Sequence, residues 1–304
     1  RDRRIFVTGA TGFVGSAVVR DLIGAGHRVL GMARSDAGAQ ALAAMGAEVH
    51  RGSLEDAGSL RSGAASTDGV IHTAFIHDFS RFQENSEIDR RAIAALGAAL
   101  RGSGRPLIVT SGMAHLAKGR LATEDDTPPP PTPHFPRASE AAAAALAAEG
   151  VRVAVMRLPP SVHGDGDHGF VPILHRIARE KGRSAFIGKG LNRWPAVHRL
   201  DAARAFRLAI EHGSRGDAPP GERYHAVAEE GVPFHGIAEA IGRQLGLPAA
   251  ALPPGEAAGH FAWFAAFAGM DAPASSERTR ALLDWAPAQP GLLADIGRPG
   301  YFGG

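Results

Sequence analysis

Short apolar segments alternate with longer, alanine-rich segments through the first half of this 304-residue chain. The apolar segments predict strands at Ile5–Thr8, Arg28–Met32, Ala47–His50, Val70–Thr73, Leu107–Ser111 and Val151–Leu158. The longer segments predict helices at Val14–Ala25, Ala37–Met45, Arg81–Leu100 and Ser139–Glu149. Strands that alternate with helices of this length form βαβ units around a buried parallel sheet. The right-handed crossover rule then favours an α/β fold with a doubly wound sheet.

Two irregular stretches interrupt this alternation. The proline-rich stretch Thr127–Pro136 predicts an extended loop, because proline fits neither a helix interior nor a central strand. The second stretch, Pro159–Gly169, follows the sixth predicted strand. Beyond it the pattern predicts helices near Phe170–Lys181, Leu200–His212 and Phe234–Leu245, and a strand at Tyr224–Ala228. We therefore predict a core of residues 1–162 and a smaller C-terminal lobe of residues 163–304, from which roughly residues 193–228 return to the core.

The charge balance narrows the possible partners. With 33 basic and 31 acidic residues the chain carries little net field, so we expect neither nucleic-acid nor membrane-surface binding. The absence of cysteine excludes disulfides, thiolate metal ligands and a cysteine nucleophile. No apolar run reaches about 18 residues and none precedes the first strand, so we expect no membrane span, no signal peptide and a cytoplasmic location.

A glycine-rich turn joins the first predicted strand to the first predicted helix. It reads Thr8-Gly9-Ala10-Thr11-Gly12-Phe13-Val14-Gly15. Gly9 permits a tight turn, Gly12 lets the backbone approach a diphosphate, and Gly15 allows close packing of helix on strand. The N-terminus of a helix also offers unpaired N–H groups and a partial positive charge. The turn therefore predicts a dinucleotide-binding site with cofactor contacts at Gly9, Thr11, Gly12, Phe13, Val14 and Gly15.

The end of the second predicted strand bears on the choice of dinucleotide. Arg34 and Ser35 follow Ala33, about 20 residues past the glycines. An acidic residue there binds the ribose hydroxyls of NAD, whereas an arginine pairs with the extra phosphate of NADP. Arg34 and Ser35 thus favour NADP over NAD, although the nearby Asp36 leaves NAD as an alternative.

Further motifs occur in a fixed order along the chain. They are His72-Thr73-Ala74, Thr110-Ser111-Gly112, the segments 157–164 and 194–201, and Leu283-Asp284-Trp285-Ala286-Pro287. Together with the glycine turn they resemble the extended short-chain dehydrogenases/reductases, in particular the NAD-dependent epimerase/dehydratase group. The resemblance implies a Rossmann core, a C-terminal substrate lobe and a small-molecule substrate. It also implies cofactor contacts at Ser53, Leu54, His72, Thr73, Ala74, Leu158, Pro159 and Val162.

The chain departs from that family at the residues that carry catalysis. A Tyr-x-x-x-Lys pair on the helix after the fifth strand moves the proton and holds the nicotinamide ribose in the family. Neither of the two tyrosines is followed by a lysine at the required spacing. The residue four positions after Tyr224 is alanine, and the sequence holds no residue four positions after Tyr301. Matching the helix start to the family places Pro136 at the tyrosine position and Glu140 at the lysine position. Glu140 could accept hydrogen bonds from ribose hydroxyls, or could simply be a favourable residue at a helix start.

Two side chains are candidates for the missing proton donor. Ser111 closes the fifth predicted strand, at the sheet edge where ligands bind in such folds, although Gly112 could hold the family's Ser/Thr position. His134 precedes the helix that should carry the tyrosine, and an imidazole can donate a proton near neutral pH. The run His163–His168 contains metal-ligand residue types, but we expect no metal there because catalytic metals draw ligands from several elements.

These observations predict an NADP-dependent oxidoreductase that reduces a small carbonyl-type or imine-type substrate with a non-standard proton donor. One alternative is an epimerase- or dehydratase-type enzyme with tightly bound cofactor. The other is a dinucleotide-binding protein that has lost catalysis together with the Tyr-Lys pair. A homodimer is an open possibility.

Overall fold

A parallel sheet of seven strands forms the centre of the protein. The computed structural model describes residues 2–303. The sheet order is β10-β6-β5-β4-β1-β2-β3, and every neighbouring pair is parallel. Its strands are β1 (Arg4–Thr8), β2 (Arg28–Ala33), β3 (Glu48–Arg51), β4 (Gly69–His72), β5 (Leu107–Ser111), β6 (Val153–Arg157) and β10 (Glu222–His225). The predicted α/β class and doubly wound Rossmann sheet are confirmed.

Helices cover both faces of this sheet. They are α1 (Phe13–Gly24), α2 (Asp36–Ala44), α3 (Ala57–Ala65), α4 (Phe82–Leu100), α5 (Ser139–Ala148) and α7 (Arg199–Ser214). On one face α1 and α7 bury Leu22 and Phe206 against the strands. On the other face α3, α4 and α5 bury Leu60, Leu96 and Leu146. Apolar burial on both faces explains why the strand sequences are continuous apolar runs rather than alternating ones.

The remaining elements build a second apolar core. It contains α6 (Phe170–Lys181), α8 (Phe234–Leu245), α9 (Ala257–Phe261), α10 (Ala265–Ala268), α12 (Leu292–Ile296) and the strands β8 (Ser184–Ile187), β9 (Arg193–His198), β11 (Glu229–Pro233) and β12 (Ala249–Leu252). Strand β7 (Ser161–His163) pairs with β9, but its Val162 packs against the core of the main sheet. The strands form two small sheets, β11-β9-β7 and β12-β8. Fully buried Trp194, Phe234 and Phe264 lie at the centre of this cluster. Helix α11 (Glu277–Leu283) packs instead beside α7 and β10.

Most predicted elements exist with ends displaced by one or two residues, as expected where helices fray and strands twist. The helix α3 was not predicted, because its apolar residues are few. Its Gly63 lies so close to the ring of Phe6 that an added Cβ would stand 2.4 Å from it. The close packing of Gly63 on Phe6 of β1 therefore helps to hold this helix on the sheet, although the helix has no long apolar stripe.

The sheet order fixes where a ligand can bind. The chain leaves β1 for β2 and β3 on one side and then returns to β4 on the other side of β1. The connections that follow β1 and β4 therefore lead away from each other, and a crevice opens beyond the carboxyl ends of these two strands. Among the helices of residues 2–303, none combines the length and the apolar character that crossing a bilayer requires.

Candidate active site

The glycine turn has the backbone geometry that its sequence predicts. Gly9 adopts a φ of +64°, which favours glycine, and the N–H of Gly12 donates to the Gly9 carbonyl over 3.0 Å. A Cβ on Gly15 would stand 1.8 Å from the Gly9 carbonyl oxygen. Helix α1 begins with no side-chain cap and no acidic residue in its first turn. Its first N–H groups are therefore directed at the crevice without a competing acceptor, as an anion site requires.

One large cavity of about 1790 Å³ extends from this turn across the carboxyl ends of the strands. Its volume exceeds the roughly 300–1,000 Å³ of common ligand pockets, so it can hold an extended ligand beside a second molecule. Most of the predicted site residues line it. They are Gly9, Thr11, Gly12, Phe13, Val14, Gly15, Arg34, Ser35, Ser53, Leu54, Thr73, Ala74, Ser111, Glu140, Leu158, Pro159 and Val162.

His72 does not line the cavity, contrary to the prediction that it contacts cofactor. It is 1% exposed and lies beneath the floor, since its strand position points into the protein. Its Nδ1 lies 2.7 Å from Thr8 Oγ1 and its Nε2 lies 2.8 Å from Asp89 Oδ1. The family motif placed it correctly at the strand end, but the side chain has a structural role there.

His134 is also not brought to the cavity, so the structure does not support it as a proton donor. The proline-rich loop folds back on itself through reciprocal backbone hydrogen bonds between Thr132 and Phe135, both of 3.1 Å. This turn points Phe135 into the cavity, where its ring packs on Phe82 and His115. The adjacent His134 faces outward and is exposed.

The mouth of the cavity at the β2 end carries Arg34 and Ser35. Arg34 is exposed and has no hydrogen-bond partner within residues 2–303. Ser35 caps α2 and accepts a hydrogen bond from the Gly38 N–H over 3.0 Å, which leaves its own hydroxyl proton available. Asp36, the residue that left NAD as an alternative, forms an exposed ion pair of 2.9 Å with Arg51.

Glu140 occupies the lysine position of the family but is engaged elsewhere. Its Oε2 accepts from Arg157 Nε over 3.0 Å and its Oε1 accepts from Arg157 Nη2 over 2.8 Å. Arg157 is fully buried, and its Nη1 also contacts His225 Nε2 at 3.1 Å. A forked ion pair of this kind is strong and directional. This ion pair was not predicted, because position 157 lies in an apolar strand.

Arg137 is the functional candidate that sequence reasoning missed. It lines the cavity between β5 and α5 and lies next to the position that matches the family tyrosine. Its Nη2 donates to the Thr110 carbonyl over 3.2 Å, and its guanidinium carbon lies 4.3 Å from the centre of the Phe75 ring. Burial lowers the pKa of Arg137 from its usual value, although nearby Asp89 opposes that change. An arginine beside a proline-rich loop was the only local signal.

A buried chain of hydrogen bonds connects Arg137 to the strand that carries the glycine turn. Arg137 Nε donates to Ser139 Oγ over 3.1 Å, and Ser139 Oγ donates to Asp89 Oδ2 over 2.6 Å. Asp89 Oδ1 faces His72 Nε2, and His72 Nδ1 faces the Thr8 hydroxyl. With the proton of His72 on Nε2, every donor in the chain meets an acceptor.

Ser111 lies at the carboxyl end of β5, 7% exposed, with its carbonyl accepting from the Leu158 N–H over 2.8 Å. It lines the cavity next to Gly112 and near Arg137. Further out, aromatic side chains form the wall of the substrate end. They are Phe75, Phe79, Phe82, Phe135, Phe170, Trp263 and Phe267. The cavity therefore joins the glycine turn to an apolar chamber, with polar groups of β5 and α5 between them.

The run His163–His168 makes internal contacts. His163 Nδ1 lies 2.6 Å from Asp295 Oδ2, and Asp167 Oδ2 accepts from the Tyr301 hydroxyl over 2.5 Å. Asp165 pairs with Arg298 at 2.6 Å. Within residues 2–303 no group of three or more His, Cys, Asp or Glu side chains is arranged to hold a metal ion.

The fold and the glycine turn together define a Rossmann-type dinucleotide-binding protein. The chain belongs to the NAD dependent epimerase/dehydratase family, whose model matches residues 5–225, and is thus an extended short-chain dehydrogenase/reductase. Members of this family are NAD(P)-dependent enzymes.

Comparisons with individual proteins agree with this assignment. An uncharacterized protein of Schizosaccharomyces pombe is 48% identical over 301 residues, which cover 98% of this chain and 100% of that protein. The 2-alkyl-3-oxoalkanoate reductase of Stenotrophomonas maltophilia is 32% identical over 81% of this chain and 76% of its own length. Among solved structures, the dTDP-glucose 4,6-dehydratase DesIV of Streptomyces venezuelae, with NAD bound, has a TM-score of 0.76 at 18% identity, covering 97% of this chain and 94% of that one. The last similarity concerns the fold alone.

Proposed function

We propose that this protein is an NADP-dependent oxidoreductase that reduces a carbonyl-type or imine-type substrate with a proton donor other than tyrosine. One observation carries the proposal. The glycine turn, the Ser111 end of β5 and the aromatic chamber are walls of one continuous cavity. A dinucleotide and an apolar substrate can therefore lie side by side, which hydride transfer requires. The reductase of Stenotrophomonas maltophilia supports a ketone as substrate by analogy.

The residues at the two ends of the cofactor site fit NADP. The uncapped N-terminus of α1 would hold the diphosphate through its N–H groups. Arg34 would pair with the phosphate on the adenosine ribose, since its guanidinium has no partner in the described part of the chain. Bound NADPH supplies the hydride. Both carboxylate oxygens of Glu140 accept hydrogen bonds from Arg157. We therefore propose that Glu140 holds α5 against β6 and takes no direct part in catalysis.

Ser111 is the proposed proton donor. Its hydroxyl would polarise the substrate carbonyl and give its proton to the oxygen as the carbon receives the hydride. The serine would then recover a proton from water in the cavity, so the alcohol product gains one hydride and one proton. A serine is a weak acid on its own, but Arg137, which donates to the carbonyl of the neighbouring Thr110, places a positive charge on the same wall of the cavity.

Turnover tests this proposal directly. Purified protein is incubated with NADPH and a panel of apolar ketones, aldehydes and imines, and NADPH oxidation is followed at saturating cofactor. Ser111→Ala should lower kcat about 100-fold while leaving the Kd for NADPH unchanged. Ser62→Ala, an exposed serine on α3, is the matched control and should have no effect.

The absence of the Tyr-Lys pair favours one rival reading. Pro136 and the engaged Glu140 would also suit a protein that binds dinucleotide without catalysis. Tight NADPH binding with no oxidation across the panel would support that reading and overturn ours. Product formation without net NADPH consumption would instead indicate an epimerase- or dehydratase-type reaction.

A further inference from the structure

The guanidinium of Arg137 is fixed on one side and open on the other. Its Nε and one Nη2 hydrogen are used by Ser139 Oγ and the Thr110 carbonyl. Its Nη1 group has no hydrogen-bond partner among residues 2–303 and lies 4.0 Å from where a Cβ on Gly112 would be. Arginine has five donors, so an unsatisfied edge in a cavity wall is a site for a planar acceptor.

The buried chain behind Arg137 holds this open edge in one orientation. Asp89 is 3% exposed, and it receives hydrogen bonds from Ser139 on one oxygen and from His72 on the other. Its negative charge lies behind the guanidinium and stabilises the charged form of Arg137. Because each member is buried and satisfied, the side chain of Arg137 loses little further freedom when it binds a ligand.

Other charged groups that face the chamber already have partners. Asp78 accepts from the Ser80 N–H and hydroxyl, and Asp167 accepts from Tyr301. Burial raises the pKa of Asp167. Burial and then the positive charge of Arg137 lower the pKa of His77 to about 4, so His77 is a neutral imidazole at neutral pH.

Aromatic rings lead away from Arg137 without interruption. Phe75 lies against the guanidinium, and Phe82 and then Phe79 follow at ring-centre distances of 6.3 and 5.3 Å. Phe79 in turn lies 5.4 Å from Trp263 and 5.6 Å from Phe267. Trp263 is 52% exposed, so the outer end of this row offers a large apolar surface to a ligand.

We propose that Arg137 binds the carboxylate of the substrate, and that the substrate is an oxo acid with an aromatic or long alkyl body. This inference rests on the proposed reductase function. Arg137 is bonded to Thr110, the residue next to Ser111, so the anion site and the carbonyl site are adjacent. The carbonyl then lies close to the carboxylate, as in a 2-oxo or 3-oxo acid, and the apolar body lies along the row of rings from Phe75 to Trp263.

Binding to the oxidised cofactor complex tests the anchor without turnover. The probes are 2-oxo-4-phenylbutanoate and its ethyl ester, which share the ketone and the ring and differ in the charge. Their Kd values are measured calorimetrically at saturating NADP⁺. We expect the acid to bind at least about tenfold more tightly than the ester, as charge-assisted pairing to an arginine implies.

Variants of Arg137 make the test specific. Arg137→Gln should reduce the acid-to-ester ratio to about one, while Arg137→Lys should retain part of the preference. Arg91→Gln removes an exposed cation on α4 and should leave the ratio unchanged. Thermal unfolding of each variant establishes that it is folded. If the glutamine variant does not fold, the lysine variant still provides the test.

Failure of the anchor and failure of the reductase proposal give different results. Equal affinities for acid and ester, or a ratio that Arg137→Gln leaves unchanged, overturn the anchor. A loss of NADP⁺ affinity in Arg137→Gln at an unchanged ratio also overturns it and assigns Arg137 to the cofactor. A charge preference that depends on Arg137, with no NADPH oxidation for either probe or for any member of the carbonyl panel, supports the anchor and overturns the reductase.

Discussion

Replacing Asp89 by asparagine should expose how strongly the buried chain stabilises the protein. The carboxylate accepts from Ser139 over 2.6 Å and from His72 over 2.8 Å, and it is 3% exposed. Asparagine keeps the shape but presents an NH₂ group to one of these two donors. A hydrogen bond to a charged group contributes about 1.5–3 kcal/mol, and a stranded buried donor costs about 1–3 kcal/mol. We expect the free energy of unfolding to fall by about 3 kcal/mol, allowing for partial rearrangement of the His72 proton.

The effect should depend on pH in a defined direction. Burial alone would raise the pKa of Asp89, but the hydrogen bonds from His72 and Ser139 and the positive charge of Arg137 outweigh it, so the pKa lies below its ordinary value. A lowered native pKa stabilises the fold above the unfolded value of about 3.9, and this stabilisation is lost as the pH falls towards the native pKa. The difference between wild type and Asp89→Asn should therefore be full at neutral pH and shrink in acid.

Urea unfolding at pH 7 and about one pH unit below the unfolded aspartate pKa, near pH 3, measures both quantities. Asp36→Asn is the matched control, because Asp36 forms an exposed pair with Arg51 and should change the stability by less than about 0.5 kcal/mol. A change below about 1 kcal/mol for Asp89→Asn at pH 7, or one that does not diminish in acid, would refute the reasoning.

Three further outcomes follow from the site. Gly15→Ala places a Cβ against the Gly9 carbonyl, so it should cost about 3 kcal/mol or more in urea unfolding and abolish dinucleotide binding; an intact NADPH Kd would contradict this. Arg34→Glu should raise the NADPH Kd about 10- to 100-fold and leave NADH binding unchanged in calorimetry, and equal losses for both would remove Arg34 from the phosphate site. Glu140→Gln leaves the fully buried Arg157 without its counter-charge and should lower the free energy of unfolding by about 3 kcal/mol; a neutral result would show that the backbone carbonyls of Glu124 and Asp126, which also accept from Arg157, suffice.

The sequence predicted the glycine turn and the cavity lining beside it, because these features are encoded locally. Gly9, Gly12 and Gly15 lie within one turn, and their roles follow from backbone sterics alone. Ser111 and Arg34 could be placed because parallel strands deliver their carboxyl ends to one edge of the sheet. Each of these inferences needed only a strand, a turn and the residue after it.

The substrate half could not be predicted because it depends on contacts between distant segments. Phe79 meets Trp263 across 184 positions of the chain, and nothing near either residue specifies that contact. The outward direction of His134 follows from a turn that sends Phe135 inward, which proline content alone does not determine. Arg137 was overlooked because a polar residue beside a loop is usually solvated.

The pairing of Glu140 with Arg157 also limits how the usual catalytic machinery could be engineered into this scaffold. Introducing lysine at position 140 would place two like charges in contact, one of them on a residue with no access to solvent. Adding tyrosine at position 136 alone would leave the phenol without its helper. A rebuilt pair would require residue 157 to be made neutral in the same step, so any route through single substitutions passes through a destabilised intermediate.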